Sequence, residues 1–482
     1  MKLSEVFKDV AYSSNRDDFE VTGVTSDTRK VTDHCVFVCI KFRKFDGHNH
    51  AAEALAAGAA AVVAGRDLGL PNQIIVADTR DAYGLLCAGL HNFACRKIKL
   101  IGVTGTNGKT TITYLVKHLL EAAGKKVGLI GTISNLIDDM VLPAKYTTPE
   151  TSELHALLAR MAEAGCEYVV MEASSMALDQ KRLAGLEFQV GIFTNLTQDH
   201  LDYHGDMDNY FAAKKKLFDH CKYGVINIDD AYGLRLLEEI PCEKVTFSLK
   251  KNEADYIAKN ISHSLSGSQF LILHSDFLKR VKFCMPGDYS VQNALAAVAA
   301  CVCCGLPFQE AAEGLDTCQG IRGRTEILKT DTDYTVICDY AHSPDGLEKV
   351  LQSVRSFAPA RVVTLFGCAG ERDRTKRPKM SRIVSELSDF IILTSDNPRS
   401  EDPDSIIQDA LPPIVESGKP YIAITDRLEA IRWALHHARK DDVLILAGKG
   451  HEDYQVLKDG TVYFDEHLIV SEVLKEMRGD SH

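Results

Sequence analysis

The sequence predicts an α/β protein of three domains whose sheets are built from parallel strands. Its 482 residues exceed what one hydrophobic core holds, so two to four domains are expected. Short apolar segments alternate with helical segments along the chain, which is typical of parallel sheets covered by helices. The 45% hydrophobic and 25% charged composition excludes a disordered, collagen-like or coiled-coil protein.

The alternation divides the chain into three blocks, 1–95, 96–326 and 327–482. In the first block an alanine-rich helix is predicted over 51–57, and Gly58 caps its C-terminus. The predicted strands are 36–40 and 73–76 in the first block, 99–104, 126–130, 168–171, 190–194 and 223–228 in the second, and 335–338, 361–366, 390–394, 421–424 and 443–447 in the third. Parallel sheets bind ligands beyond the carboxyl ends of their strands, where the third block carries Asp339, Gly367, 396–399, Asp426 and 448–452.

Composition excludes several classes of function. The net charge of −12 argues against a general binder of nucleic acid or of anionic membranes. No stretch of about 18 apolar residues is present, so neither a membrane span nor a secretion signal is predicted, and the expected location is the cytoplasm. Of the fourteen cysteines, only Cys301 and Cys304 form a C-x-x-C pair, which favours buried free thiols over a zinc site.

A glycine-rich segment at 102–111, GVTGTNGKTT, predicts a phosphate-binding loop. It follows a predicted strand and opens a predicted helix over 112–123, so its backbone N–H groups can surround phosphate oxygens. Val103 stands where the strict P-loop pattern has glycine, and a chance Gly-Lys-Thr is the alternative. The residues predicted to bind the nucleotide are Gly105, Thr106, Asn107, Gly108, Lys109, Thr110 and Thr111.

Glu172 ends the apolar strand that contains 168–171 and, beside the phosphate loop, is predicted to be a Mg²⁺ ligand or a residue that supports one. A carboxylate at a strand end is otherwise an ordinary solvated group. The guanine-reading pattern N-K-x-D is absent, which favours ATP over GTP.

Motifs from all three blocks together resemble the Mur ligases, and among them the members that extend a UDP-N-acetylmuramoyl dipeptide. The quoted segments follow the family's order. They are TSDTRK (25–30), GVTGTNGKTT (102–111), YTTPE (146–150), MEASSMALDQKR (171–182), NLTQDHLDYHGDMDNYFAAKKKLF (195–218), RGRTE (322–326), DYAHSPDGL (339–347), FGCAGERDRTKRPKM (366–380), DNPRSEDP (396–403) and AGKGHEDYQ (447–455).

This resemblance implies the three-domain Mur ligase architecture and an ATP-dependent ligase. Residues 1–95 would bind the uridine nucleotide of the substrate. Residues 96–326 would form a central P-loop ATPase domain with a parallel sheet, and 327–482 a Rossmann-like domain for the incoming amino acid. ATP would phosphorylate the carboxylate of UDP-MurNAc-L-Ala-D-Glu, and the amine of the third amino acid would attack the acyl phosphate.

The family's binding residues transfer to matching positions of this sequence. For UDP-MurNAc-dipeptide they are Ser26, Thr147, Thr148, Ser174, Gln180 and Arg182; for ATP, beyond the loop, they are Asn293, Arg324 and Asp339. Two positions depart from the family pattern: Met176 replaces a common histidine, and Ser290 replaces an asparagine. His342 is assigned no separate role, because the DYAH motif can require it for loop structure alone.

His200 and Lys214 resemble the family's second metal site. By itself, a lone histidine is more often a core or surface residue, and the Lys-Lys-Lys run at 214–216 is more often a solvated helix face. The resemblance implies that Lys214 is carbamylated (N6-carboxylysine), which requires a neutral amine. Together with Lys109, the implied catalytic and metal residues are Thr110, Glu172, His200 and Lys214.

The DNPR motif at 396–399 resembles the form found in ligases that add meso-diaminopimelate. Arg399 can bind its distal carboxylate, which lysine lacks, and Glu452 can accept from its distal ammonium. Arg372 would contact the near carboxylate. The predicted set is Arg372, Asp396, Asn397, Pro398, Arg399, Gly448 and Glu452. Lanthionine, which also has a zwitterionic far end, would satisfy the same charges.

Two alternatives remain at this point. A folylpolyglutamate synthase would use the same chemistry on a pterin substrate, although TSDTR, DHLDYHG and DNPR disfavour it. A non-catalytic ATP-binding protein would explain Met176 and Ser290, but not the retention of Lys109, Glu172, His200 and Lys214. We expect small-molecule substrates, ATP and Mg²⁺, no nucleic-acid or membrane partner, and a monomer.

Overall fold

The computed structural model describes residues 1–14, 18–42, 45–138 and 140–479, and its described strands form three sheets and a separate hairpin. In the first sheet the strand order is β1-β5-β4-β3-β2, parallel except for β1. Its elements are α1 (Leu3–Val6), β1 (Ser13–Ser14), β2 (Gly23–Thr25), β3 (Cys35–Val38), α2 (Ala51–Ala56), β4 (Ala61–Ala64), β5 (Gln73–Ile75) and α3 (Thr79–Leu90). Every residue of β3 and β4 is buried, as expected of parallel strands covered on both faces.

The second sheet has eleven strands, in the order β16-β15-β14-β13-β12-β11-β6-β10-β7-β8-β9. Its strands are β6 (Lys99–Thr104), β7 (Val127–Ile130), β8 (Ser134–Ile137), β9 (Met140–Pro143), β10 (Tyr168–Glu172), β11 (Phe188–Phe193), β12 (Cys221–Asn227), β13 (Glu243–Ser248), β14 (Tyr256–Ser264), β15 (Gly267–His274) and β16 (Phe277–Phe283). The helices are α4 (Lys109–Ala122), α5 (Thr151–Glu163), α6 (Ser175–Asp179), α7 (Leu201–His204), α8 (Met207–Lys215), α9 (Ala231–Glu239), α10 (Asp288–Cys303) and α11 (Phe308–Gly314).

The central sheet is parallel through its middle, as predicted, and carries antiparallel strands at both margins. The seven neighbouring strands β14, β13, β12, β11, β6, β10 and β7 are parallel to one another. The strands β8, β9, β15 and β16 pair antiparallel. Of these outer strands, β9 and β16 are largely exposed, unlike the buried parallel strands at the centre of the sheet. On the covered side, the alanine-rich α10 packs against α4, and both contribute to one apolar core.

The third sheet has the order β17-β18-β22-β19-β20-β21, parallel except for β17. Its elements are β17 (Glu326–Ile327), β18 (Thr335–Asp339), α12 (Pro344–Phe357), β19 (Val362–Cys368), α13 (Lys376–Leu387), β20 (Phe390–Ser395), α14 (Pro403–Ser417), β21 (Tyr421–Ile424), α15 (Arg427–His437), β22 (Val443–Ala447) and α16 (Glu466–Arg478). A hairpin of β23 (Tyr454–Leu457) and β24 (Gly460–Tyr463) follows β22.

The fourteen cysteines all lie within the described ranges and are free thiols. Nine are buried, whereas Cys221, Cys242, Cys284, Cys303 and Cys318 are only partly so. The prediction that the cysteines are free thiols is confirmed. The prediction that they are all buried is wrong for the five that are only partly buried. Among the described residues, no helix combines the length and apolar character that crossing a membrane requires.

A buried ion pair fastens α15 to α16 beneath the third sheet. The Arg427 and Glu466 side chains are both 0% exposed and lie 2.7 Å apart, and Arg427 also donates to the carbonyls of Ser395 and Ala447. Replacing Glu466 with alanine leaves an uncompensated buried cation. We expect Glu466→Ala to lower the free energy of unfolding by about 3–5 kcal/mol in urea titrations. The control is Glu476→Ala, on the same helix α16 as Glu466. It removes the exposed partner of Arg432 and should change the free energy of unfolding little.

Candidate active site

The phosphate loop lies between β6 and α4, at the carboxyl end of a central strand. Gly105 and Gly108 have φ values of 144° and 90°, which side-chain-bearing residues rarely adopt. A Cβ atom at Gly105 would also lie 1.8 Å from Thr194 Oγ1. The helix begins at Lys109 rather than at the predicted residue 112, so Thr110 and Thr111 occupy its first turn. Its free N–H groups can therefore point toward an anion.

Two lysine side chains meet at the carbonyl of Gly105. Lys109 Nζ donates to it at 3.0 Å and to the Thr106 carbonyl at 2.9 Å, while Lys214 Nζ donates to it at 2.7 Å. Burial lowers the pKa of Lys109. Lys214, on α8, is 1% exposed, and burial followed by the charge of Lys109 lowers its pKa well below the ordinary value. A neutral Lys214 amine is thereby favoured.

Glu172, at the end of β10, is surrounded by hydroxyl groups. Its Oε1 accepts from Thr110 Oγ1 at 3.0 Å and from Thr132 N at 2.8 Å, and its Oε2 accepts from Thr132 Oγ1 at 3.0 Å. Thr132 and Thr147 also share a 3.1 Å hydrogen bond. This set of oxygens matches the ligands that Mg²⁺ prefers, since Mg²⁺ is usually held by one or two carboxylates plus substrate phosphates. Across the described ranges, no three His, Cys, Asp or Glu side chains gather as a metal site.

His200 directly precedes α7 and is exposed. Its Nε2 is 3.6 Å from Asp199, and burial lowers its pKa. Asp199 also receives a 2.9 Å hydrogen bond from Lys376 on α13. Burial opposes ionisation of Asp199, but His200 and Lys376 outweigh it and lower its pKa to about 2. An ionised Asp199 therefore connects the central sheet to the third sheet beside the loop.

A cavity of about 310 Å³ brings most of the predicted nucleotide and metal residues together. Arg324 closes one side, donating to Thr110 Oγ1 at 3.0 Å and lying over the Tyr340 ring at 4.7 Å. The predicted residues that line it are Thr106, Asn107, Gly108, Lys109, Thr110, Thr111, Thr147, Glu172, His200, Asn293, Arg324 and Asp339. Lys214 lies behind the loop.

The cavity also includes residues that sequence reasoning missed, among them Thr132, Asn195, Asp199, Tyr289 and Gln292. These residues belong to segments without a short motif of their own, apart from 195–199 in the quoted stretch. Ser290, the departure from the family pattern, is fully buried in α10.

Asp339 lies at the end of β18 and accepts from the backbone N–H groups of Thr325 at 2.6 Å and Ala341 at 2.7 Å. Burial raises its pKa, although Arg324 opposes that effect. Close by, Asn107 Nδ2 of the phosphate loop donates to Asp345 of α12 at 2.5 Å. The third sheet thus completes one wall of the nucleotide cavity.

Residues predicted to bind the muramoyl peptide lie next to Glu172. Thr148 is 1% exposed and donates to the Glu172 carbonyl at 2.8 Å, and Ser174 N donates to Thr148 Oγ1 at 3.0 Å. Arg182 donates to the Thr148 carbonyl at 3.0 Å and to Gln180 Oε1 at 2.8 Å and 3.0 Å. These four residues therefore form one polar surface that adjoins the cavity.

Ser26 lies apart from this surface, in the first sheet's unit. It contacts the hydroxyl of Tyr83 on α3, which also contacts Ser152 at the start of α5. Burial raises the pKa of Tyr83 to about 12. Ser26 consequently lies at the junction between the first and second sheets.

The predicted amino-acid residues gather at the carboxyl ends of β20 and β22. Asn397 Nδ2 donates to Glu452 Oε2 at 3.1 Å, and Arg399 Nη1 donates to the Gly370 carbonyl at 2.5 Å. Gly448 passes so close to Asp396 that a Cβ atom there would lie 2.8 Å from Asp396 Oδ2. Pro398 is buried between Asn397 and Arg399.

Arg372 is exposed, on the loop before α13, two residues after Gly370. Sequence reasoning also missed Lys449, whose buried side chain lies within the group. The sequence feature that could have identified Lys449 is its position within the AGKGHEDYQ segment (447–455).

Family models and relatives agree with this arrangement. The Mur ligase middle domain matches residues 103–301, and the Mur ligase, glutamate ligase domain matches 323–450. UDP-N-acetylmuramoyl-L-alanyl-D-glutamate--2,6-diaminopimelate ligase 1 of Clostridium acetobutylicum is 44% identical over 484 residues, which cover 99% of this chain and 100% of that protein. The chain belongs to the Mur ligase family.

Further Mur ligases extend the comparison. The UDP-N-acetylmuramoyl-L-alanyl-D-glutamate--2,6-diaminopimelate ligase of Clostridium tetani is 42% identical, covering 99% of this chain and 100% of that one. A solved structure of a ligase of the same name has a TM-score of 0.72 and 33% identity over 95% of each chain. The Mur ligase resemblance and the three-domain Mur ligase fold class predicted from the motifs are therefore confirmed.

The folylpolyglutamate synthase of Mycobacterium tuberculosis, solved with ADP, has a TM-score of 0.63 and 16% identity, covering 77% of this Mur ligase and 91% of that chain. At this identity the likeness shows a shared fold alone. It gives no support to the pterin alternative.

Proposed function

We propose that this Mur ligase forms an amide bond between meso-diaminopimelate and the D-glutamate of UDP-N-acetylmuramoyl-L-Ala-D-Glu, using ATP, in peptidoglycan precursor synthesis. The observation that carries the proposal is the close grouping of Asp396, Asn397, Arg399 and Glu452 at one sheet edge. Relatives that share 40–44% identity with this chain carry this activity in their names.

The chemistry needs two anions to meet and water to be excluded. Transfer of the ATP γ-phosphoryl group to the D-glutamate carboxylate gives an acyl phosphate and ADP. The amino acid's amine then attacks the acyl carbon, and the tetrahedral intermediate releases phosphate and leaves the amide. Lys109 and the helix N-terminus would hold the phosphates, and Arg324 would approach the γ-phosphate from the third sheet's side. The hydrogen bond from Asn107 to Asp345 and the ion pair between Asp199 and Lys376 hold the two units closed around that centre.

Thr110, Glu172, His200 and carbamylated Lys214 are proposed to hold Mg²⁺. When bound, Mg²⁺ would offset the charge repulsion between ATP and the carboxylate substrate. Carbamylation requires a neutral amine, and the burial of Lys214 favours that form. Thr147, Thr148, Ser174, Gln180 and Arg182 are proposed to position the dipeptide carboxylate, with Ser26 on the uridine side.

The domain limits are also part of the proposal. We assign 1–95 to the uridine nucleotide, 96–326 to ATP and 327–482 to the amino acid. One sheet falls within each of these ranges, apart from β17, whose first residue is Glu326.

Phosphate release tests the proposal directly. We expect release only when UDP-MurNAc-L-Ala-D-Glu, ATP and an amine acceptor are all present, with diaminopimelate at least about 10³-fold better than lysine in kcat/KM. Lanthionine is the third amino acid to compare, because it retains both charges of the far end. Release without the uridine nucleotide, or equal rates with diaminopimelate and lysine, would contradict the assignment.

A further inference from the structure

Lys449 is a buried cation in the loop after β22, outside the residues assigned so far. Its side chain is 0% exposed, and lysines are rarely fully buried unless they are paired. Its Nζ lies 3.4 Å from Asp396 Oδ1 and 3.3 Å from Glu452 Oε2, and donates to Asn397 Oδ1 at 2.5 Å. All three partners belong to the proposed amino-acid site.

The ammonium also connects the DNPR loop to the hairpin. Lys449 Nζ donates to the Tyr454 carbonyl at 2.9 Å, and Asn397 Oδ1 accepts from Val456 N at 2.9 Å. Arg399 N in turn donates to the Val456 carbonyl at 3.0 Å. The backbone position of Arg399 therefore depends on strand β23, and Lys449 holds that strand to Asn397.

Within the set of Asp396, Asn397, Arg399, Glu452 and Lys449, the formal charges sum to zero. Asp396 and Glu452 supply two negative charges, and Arg399 supplies one positive charge. Lys449 brings the sum to zero, which suits an amino acid whose far end carries both an ammonium and a carboxylate. Without Lys449 the group has an excess negative charge, which repels the far carboxylate of diaminopimelate and attracts the lone far ammonium of lysine.

We propose that Lys449 is a positioning residue that sets the preference for a zwitterionic far end. It acts through Asp396, Asn397 and Glu452 rather than by touching the reacting atoms. This inference rests on the proposed function, because it presumes that the amino acid binds at the DNPR loop.

The test compares Lys449→Met and Lys449→Gln with the unaltered enzyme. We expect KM for diaminopimelate to rise at least about 30-fold, and the ratio of kcat/KM for diaminopimelate to that for lysine to fall about 100-fold. KM for ATP and for the uridine nucleotide should stay within about twofold. Lys458→Met, in the exposed turn of the same hairpin, is the control and should match the unaltered enzyme.

Hydroxylamine separates the inference from the proposed function. This small amine attacks an acyl phosphate to give a hydroxamate and phosphate, and it has no far end to be recognised. We expect the Lys449 variants to form hydroxamate from UDP-MurNAc-L-Ala-D-Glu at nearly the unaltered rate. If the unaltered enzyme itself gives neither hydroxamate nor amide, the proposed function fails.

Three results would overturn the role of Lys449. The first is an unchanged preference for diaminopimelate over lysine. The second is an equal loss with hydroxylamine and with diaminopimelate, which indicates general damage to the enzyme. The third is that neither variant can be isolated folded, because the cation would then serve the fold rather than the preference.

Discussion

Replacing Lys214 with alanine is expected to lower the rate of amide formation at least about 10³-fold. The side chain is fully enclosed behind the phosphate loop, and its low pKa favours the neutral amine that carbamylation needs. The variant loses the proposed carbamate and, with it, one anionic ligand for Mg²⁺. The measurement is phosphate release with all three substrates at saturation.

The neighbouring Lys215 provides a matched control. It is partly exposed on the same helix and pairs with Glu239 at 2.9 Å, so Lys215→Ala should retain nearly full activity. Acetate or another small carboxylate should restore part of the activity of Lys214→Ala by replacing the carbamate. Full turnover in Lys214→Ala would refute the proposed role, and failure of every small carboxylate would count against carbamylation.

Replacing Arg399 with asparagine is expected to reduce kcat/KM for diaminopimelate about 10³-fold, with a much smaller change for lysine. Only diaminopimelate has a far carboxylate for the guanidinium to bind. Asparagine is chosen because Arg399 has a φ of 55°, a conformation that asparagine tolerates better than alanine. The measurement is kcat/KM for diaminopimelate and for lysine, compared between Arg399→Asn and the unaltered enzyme.

Arg382→Asn serves as the comparison, since Arg382 is exposed on α13. Arg382→Asn should leave kcat/KM unchanged for both diaminopimelate and lysine. If Arg399→Asn loses diaminopimelate and lysine activity to the same degree, Arg399 supports the loop rather than reading the far carboxylate. Its hydrogen bond to the Gly370 carbonyl provides that second role.

Much of the fold could be predicted because buried parallel strands have a simple pattern. The strands 99–104, 421–424 and 443–447 were predicted with the observed limits, since each is a short apolar run bounded by polar residues. The outer strands β15 and β16 were not predicted, and β16 mixes apolar with charged residues and is largely exposed. Antiparallel pairing at a sheet margin depends on neighbours in space, which periodicity does not reveal.

The site residues were likewise predictable only where they belong to a local sequence motif. The phosphate loop was recognisable because glycine, lysine and threonine must follow one another at fixed spacing. Lys449 and Asp199 were missed as participants because their importance comes from partners far along the chain. Lys449 is distinguished by the enclosure around its ammonium, and Asp199 by an ion pair with Lys376. Such pairings become visible only once the sheets are assembled.

The shared carbonyl of Gly105 has a consequence for the supply of carbon dioxide. It now accepts hydrogen bonds from both Lys109 and Lys214. Carbamylation would convert the neutral Lys214 amine into an anion that keeps one N–H group, and the Lys109 side chain would gain a nearby negative charge. Thermodynamic linkage then requires reciprocity: whatever nucleotide binding does to carbon dioxide uptake, carbon dioxide does equally to nucleotide affinity. Dissolved gas and nucleotide would therefore act as coupled ligands of one loop.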